Sequence, residues 1–192
     1  MNRLLVLPFA MALAGALPAA AQAQVAAPAP AAVVAPVRPT LPATISNWLA
    51  GDWTGEGTFT RSGEPVASTF RFRTVLDGEA MTVEHAEIAP ASFAYRGVIS
   101  VDSRSGDVVM VMASNKGGGG RVLRSEGWIG ETLAFEATPE LHAWFARERI
   151  TFERQGPDRF RATYEMSRDG GVTWRSGDVQ TFERTGGADQ AG

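Results

Sequence analysis

From Trp53 onward, apolar and polar residues alternate with a period of two, the pattern of half-buried β-strands and not of helices. In residues 68–73, Phe70 and Phe72 fall on one face and Arg71 and Arg73 on the other. Asp77-Gly78 marks a turn, and in residues 80–87 Met81, Val83 and His85 share the next face. Alternation broken by Asp-Gly is a strong local hairpin signal. The same reasoning predicts strands over residues 53–60, 93–102, 108–114, 121–128, 131–137, 147–154, 159–167 and 178–184. In 147–154, Ile150 and Phe152 form the buried side and Arg147, Arg149, Thr151 and Glu153 the outer one. Residues 121–128 and 131–137 are expected to pair across Ile129-Gly130.

Helical signals are few. Residues 44–49 are expected to form a turn or two that close one end of the sheet. Residues 138–146 fit both a helix (Leu141, Trp144, Phe145) and a strand (Leu141, Ala143, Phe145). Residues 115–120 read as a glycine-rich loop. The prediction is therefore an all-β protein, an antiparallel up-and-down meander of about eight to ten strands. A meander of this length hides its edges most completely by closing into a barrel; a two-sheet sandwich is the alternative.

The ends of the chain carry a different composition. Met1-Asn2-Arg3, the uncharged apolar run 4–17 and Ala21-Gln22-Ala23 together read as a signal peptide over residues 1–23. The run is shorter than the ~20 residues that span a bilayer and contains Pro8. Residues 24–43 are almost entirely Ala, Val and Pro and read as a disordered linker. Residues 44–184 form one domain, and 185–192 a disordered tail. The expected location is periplasmic or secreted. The chain has no cysteine, which excludes disulfides and thiol chemistry. Its net charge is −3 and its arginines are dispersed, so no nucleic-acid partner is expected. No apolar block long enough for a transmembrane segment follows the leader.

The start of the domain, Trp48-Leu49-Ala50-Gly51-Asp52-Trp53-Thr54-Gly55-Glu56-Gly57, carries a resemblance. The Gly51-Asp52-Trp53 entry resembles the start of lipocalins and fatty-acid-binding proteins. The fuller string is similar to nitrobindin-type haem-binding barrels. Residues 46–184 as a whole resemble bacterial exported lipocalin-like domains that carry no assigned function. The resemblance implies a lipocalin-like barrel in which Trp53 packs at the closed end under an arginine of the last strand, here Arg184. Gly51, Trp53 and Arg184 are thus expected to be structural. Haem needs an axial donor, and neither His85 nor His142 stands in the late-chain histidine context of nitrobindins, so no cofactor and no metal are expected.

Residues 167–174, Ser-Arg-Asp-Gly-Gly-Val-Thr-Trp, match the Asp-box hairpin of sialidase propellers. The string occurs once, and a domain of this length is too short for a sialidase propeller. Its physics holds on any β-scaffold: Asp169 accepts backbone N–H groups, Gly170 and Gly171 supply positive φ, and Trp174 covers the hairpin.

No phosphate loop, dinucleotide fingerprint, HExxH or Gly-x-Ser-x-Gly occurs, so no catalytic residue is assigned. The expected role is binding of an apolar or amphipathic small molecule inside the barrel. Candidate lumen residues are Phe70, Phe72, Met81, Val83 and His85, with Met110, Met112, Phe135 and Tyr164 from later strands. The alternative is an envelope protein-interaction or structural module with a filled barrel; haem binding and hydrolysis rank below both.

Overall fold

A computed structural model describes residues 39–116, 120–137 and 145–186. The expected signal peptide, the first part of the linker, the tail beyond 186, His142 and residues 138–144 lie outside the described residues. The chain enters through helix α1 (Ala43–Leu49) and then runs almost without interruption in strands: β1 (Gly51–Phe59), β2 (Pro65–Val75), β3 (Ala80–Ala89), β4 (Ala94–Val101), β5 (Val108–Ser114) and β6 (Gly120–Ser125). After β7 (Trp128–Ile129) come β8 (Thr132–Ala137), β9 (Arg147–Gly156), β10 (Arg159–Ser167) and β11 (Arg175–Gly186).

Apart from β6 and β7, each strand pairs antiparallel with its neighbour in sequence, and β1 pairs with β11 from Asp52 opposite Gly186 to Phe59 opposite Asp178. That last pairing closes the meander into the expected barrel. β6 and β7 lie along the same edge of β8. They are one strand broken at Glu126-Gly127, where Gly127 has φ +91°. The predicted hairpin of 121–128 with 131–137 is therefore present, with two changes. Its turn falls at Gly130-Glu131, and the break shifts the register by one residue, so only Leu123 with Ala137 and Arg124 with Glu136 pair beyond it. The turn after β2 also differs from a simple Asp-Gly corner. Leu76, Asp77 and Gly78 all have positive φ, and Leu76 stands exposed.

The inward register is that of the alternation. Val66, Ser68, Phe70 and Phe72 point inward from β2, and Arg71 and Arg73 outward, where both reach Asp52. The same face of β3 buries Met81, Val83 and His85. Ile150 and Phe152 are the buried side of β9, as expected. Among the described residues, no helix is long and apolar enough to cross a membrane.

One end of the barrel is plugged. α1 is seven residues long, too short to hold itself in water. It is held by Ile45 and Leu49, both buried, and by Leu41 just before it, 4 % exposed. Leu41 thus packs with the domain although its composition places it in the linker, and the exposed Pro42 accepts from the Ile45 and Ser46 amides through its carbonyl. The last turn of a helix leaves carbonyls without partners. Here the Trp53 indole donates to the Leu49 carbonyl at 2.8 Å, and Arg184 donates to the carbonyls of Trp48 (2.8 Å) and Ala50. The Arg184 guanidinium also lies 4.0 Å above the Trp53 ring. Gly51 is required beside it: its φ is +130°, and a Cβ would sit 2.7 Å from Arg184 Nη1. Arg154 and Trp128 both donate to the Thr44 carbonyl, and the Arg154 guanidinium lies 3.8 Å from the Trp128 ring. At the far end of the chain, β11 continues to Gly186, and the Thr185 hydroxyl donates to the Asp52 carbonyl, so the ladder extends past residue 184.

Trp53→Ala removes a fully buried ring together with the Leu49 contact. It is expected to cost about 3–5 kcal/mol of unfolding free energy, measured by urea denaturation; a variant as stable as the parent would contradict this account of the plug.

Candidate functional site

The end of the barrel away from α1 is not filled. A cavity of about 280 Å³ opens there, at the small end of the range for ligand sites. Its apolar walls come from Phe59, Phe70, Phe93, Met112, Ile150 and Phe182. Glycines on inward positions let the aromatic side chains of the wall lie close against the strands. A Cβ at Gly55 would meet the Phe182 ring at 2.5 Å, and one at Gly177 would meet Tyr164 at 2.8 Å.

Four of the nine lumen candidates border the cavity: Phe70, His85, Met112 and Tyr164. The other five, Phe72, Met81, Val83, Met110 and Phe135, also point inward but pack into the solid half of the barrel at 0 % exposure. There Phe152, Phe160 and Trp53 fill the interior, with Trp53 and Phe160 rings 4.7 Å apart. Alternation identifies the inward face but not how far along the barrel axis a residue sits.

The polar part of the lining went largely unread in the sequence. Arg121 on β6 and Glu148 on β9 point inward and form an ion pair, with side chains 3 % and 1 % exposed. They join two strands that are not neighbours, next to where the described pairing of β8 ends at Ala137. The signal was available: Arg121 alternates with the buried Leu123, and Glu148 with Ile150 and Phe152. Tyr164 lies beside this pair, and its phenol is pushed up by burial and then by the Glu148 charge. Burial likewise pushes the Tyr95 phenol up.

His85 is stacked on Tyr95 at 5.0 Å between ring centroids and lies 4.6 Å from the Phe70 ring. Burial pushes its imidazole down to about 4, so it is neutral at physiological pH. On β11, the Gln180 amide donates to Asp178 at 2.8 Å. Burial, and after it the Glu87 charge, raises the Asp178 carboxyl above its ordinary range. Glu87 itself anchors the loop between β3 and β4, accepting from the Phe93 amide at 3.0 Å and the Ser92 hydroxyl at 2.8 Å. Of the buried polar atoms of the lining, His85 Nδ1, the Tyr95 hydroxyl and Gln180 Oε1 have no hydrogen-bond partner among the described residues.

The Asp-box lies elsewhere, in the loop between β10 and β11. Asp169 accepts from the Thr173 hydroxyl at 2.6 Å, the Thr173 amide at 2.9 Å and the Ser167 hydroxyl at 2.7 Å. These bonds, those of Thr173 foremost, hold its carboxyl well below the usual carboxylate range. Gly171, at φ +98°, gives its amide to the Ser167 hydroxyl at 2.8 Å. Trp174 is half-buried on the outer surface under the Arg149 guanidinium, 4.2 Å from its ring, so it covers β9 and not the core. The box is a self-contained turn and contributes nothing to the cavity lining.

Fold and cavity together define a small, closed, antiparallel β-barrel with an internal pocket at one end. No family model and no curated protein matches the chain. Among solved structures it is similar to "Structure of EF1p2_mFAP2b bound to DFHBI", with 13 % sequence identity and a TM-score of 0.38, over 72 % of this chain and 94 % of that one.

Two outcomes are expected. Glu148→Ala strands the buried Arg121 charge and should cost about 3–5 kcal/mol, whereas the double variant Arg121→Met/Glu148→Leu should recover most of that loss; urea unfolding of the three proteins decides it. His85 is depressed in the folded state, so the unfolded chain takes up a proton first. The stability it contributes is complete above pH 6.5 and lost as pH falls toward 4, by about 3 kcal/mol. Comparing the parent with His85→Gln at pH 7 and pH 4.5 isolates this part, and equal acid sensitivity of the two would refute it.

Proposed function

We propose that this protein is an exported binder of a small amphipathic molecule, held in the cavity at the open end of a lipocalin-like barrel. The observation that carries this reading is the combination of aromatic walls with buried polar atoms that no group among the described residues satisfies. Leaving a buried donor or acceptor without a partner costs about 1–3 kcal/mol, so a lining with three of them favours a ligand that supplies the missing bonds. A filled structural barrel would have no reason to keep them. The cavity admits a molecule with one ring or a short chain and a polar head. No step of catalysis is assigned. The leader in residues 1–23 would place the binder in the periplasm or outside the cell.

The test uses small neutral amphiphiles, 2-phenylethanol and 1-hexanol, with calorimetry and thermal melts. At one hundred times Kd, a ligand adds about 2.7 kcal/mol, a rise in Tm of roughly 5–10 °C. Ala162→Phe places a ring in the cavity from an inward position on β10 and should abolish the shift while the variant still melts cooperatively. Absence of saturable binding by the parent, or binding unaffected by Ala162→Phe, refutes the proposal.

A further inference from the structure

The charges around the cavity do not balance. Arg121 is the cationic side chain of the lining among the described residues, and Glu148 on its inner side already neutralises it. Two further carboxylates, Glu87 and Asp178, also line the space, and neither has an ion-pair partner among the described residues. They are near enough for the Glu87 charge to raise the Asp178 carboxyl, although burial is the larger cause. In the lining, one positive charge that is already paired with Glu148 faces two ionisable carboxyl groups. An anionic head group would have to displace Glu148 from Arg121 and sit against Glu87 and Asp178.

The hydrogen-bonding groups point the same way. The Gln180 amide nitrogen is committed to Asp178, which fixes the amide and leaves Oε1, an acceptor only, facing no donor among the described residues. His85 is neutral and so adds no positive charge to the lining. The wall is rich in π-faces from Phe59, Phe70, Phe93, Tyr95, Tyr164 and Phe182, which attract a desolvated cation.

We infer that the cavity, taken as the ligand site proposed above, selects a small organic amine or ammonium compound, with the cationic head between Asp178, Glu87 and Gln180 and the apolar body against the aromatic wall. The ligand would donate to Gln180 Oε1 and to the Asp178 carboxylate. Its charge would also stabilise the ionised form of Asp178.

Three probes of equal bulk separate this from other polarities: 2-phenylethylamine, 2-phenylethanol and 3-phenylpropionate, titrated at neutral pH by calorimetry. The amine should bind at least about tenfold tighter than the alcohol, as expected for a hydrogen bond to a charged group over a neutral one. The carboxylate should bind weakest. Asp178→Asn, close to isosteric, should lower amine affinity about tenfold and leave the alcohol within twofold. Glu87→Gln, which keeps an acceptor for the Phe93 amide, serves in its place if Asp178→Asn does not fold. Preference for 3-phenylpropionate, or amine affinity unchanged in a folded Asp178→Asn or Glu87→Gln protein, overturns the cation assignment while leaving the ligand site intact. No saturable binding by any of the three overturns both.

Discussion

The structure depends on satisfying the last carbonyls of a seven-residue helix that could not stand alone. The carbonyls of Trp48, Leu49 and Ala50 are met by Arg184 and Trp53, residues at opposite ends of the meander. Because β1 pairs with β11, Trp53 lies opposite Arg184 in register. Barrel closure thus brings the two donors to one place, and α1 in turn covers the barrel end with Leu41, Ile45 and Leu49. A hydrogen bond worth about 1 kcal/mol net elsewhere matters more here, since an unmet carbonyl under a buried tryptophan would carry the full desolvation cost.

The plug also divides the interior. Near α1, rings pack on rings, with Trp53 against Phe160 and Phe160 stacked on Phe182 at 4.9 Å. Toward the other end the inward positions change character. Gly177 carries no side chain, and His85, Tyr95, Arg121, Tyr164, Asp178 and Gln180 stand among the aromatic and aliphatic residues of the wall. A cavity persists where polar side chains resist collapse onto one another without partners.

Most of the architecture was legible from period-two alternation, since each strand has one face in water and one in the core. The Trp53–Arg184 contact was legible through a short resemblance at Gly51-Asp52-Trp53. The cavity was only half legible. Phe70 and Phe72 carry the same local signal, yet Phe70 borders the space and Phe72 is sealed in the core. Depth along the axis depends on the plug, and no local pattern encodes that. Arg121 and Glu148 were readable in principle as charges in an apolar register, but alternation scored by hydrophobicity discards a charged residue on the inner face. Asp178 and Gln180 share the face of Phe182 and were lost for the same reason. The Asp-box shows the converse, a conspicuous motif whose hydrogen bonds all close within its own loop.

The two ends of one barrel therefore treat polar groups in opposite ways. At the plugged end the carbonyls of Thr44, Trp48, Leu49 and Ala50 all find donors, and two arginines serve three of them. At the open end, Gln180 Oε1, the Tyr95 hydroxyl and His85 Nδ1 are buried without a hydrogen-bond partner among the described residues, and a charge pair sits where apolar residues of equal volume are often as stable or more so. Packing alone does not account for the difference, because the same strands supply both ends. Stability alone would favour leucine or phenylalanine at positions 85, 121, 148 and 180. Keeping histidine, arginine, glutamate and glutamine there costs folding free energy at one end only, around the aromatic cavity, and that coincidence is what supports the binding proposal.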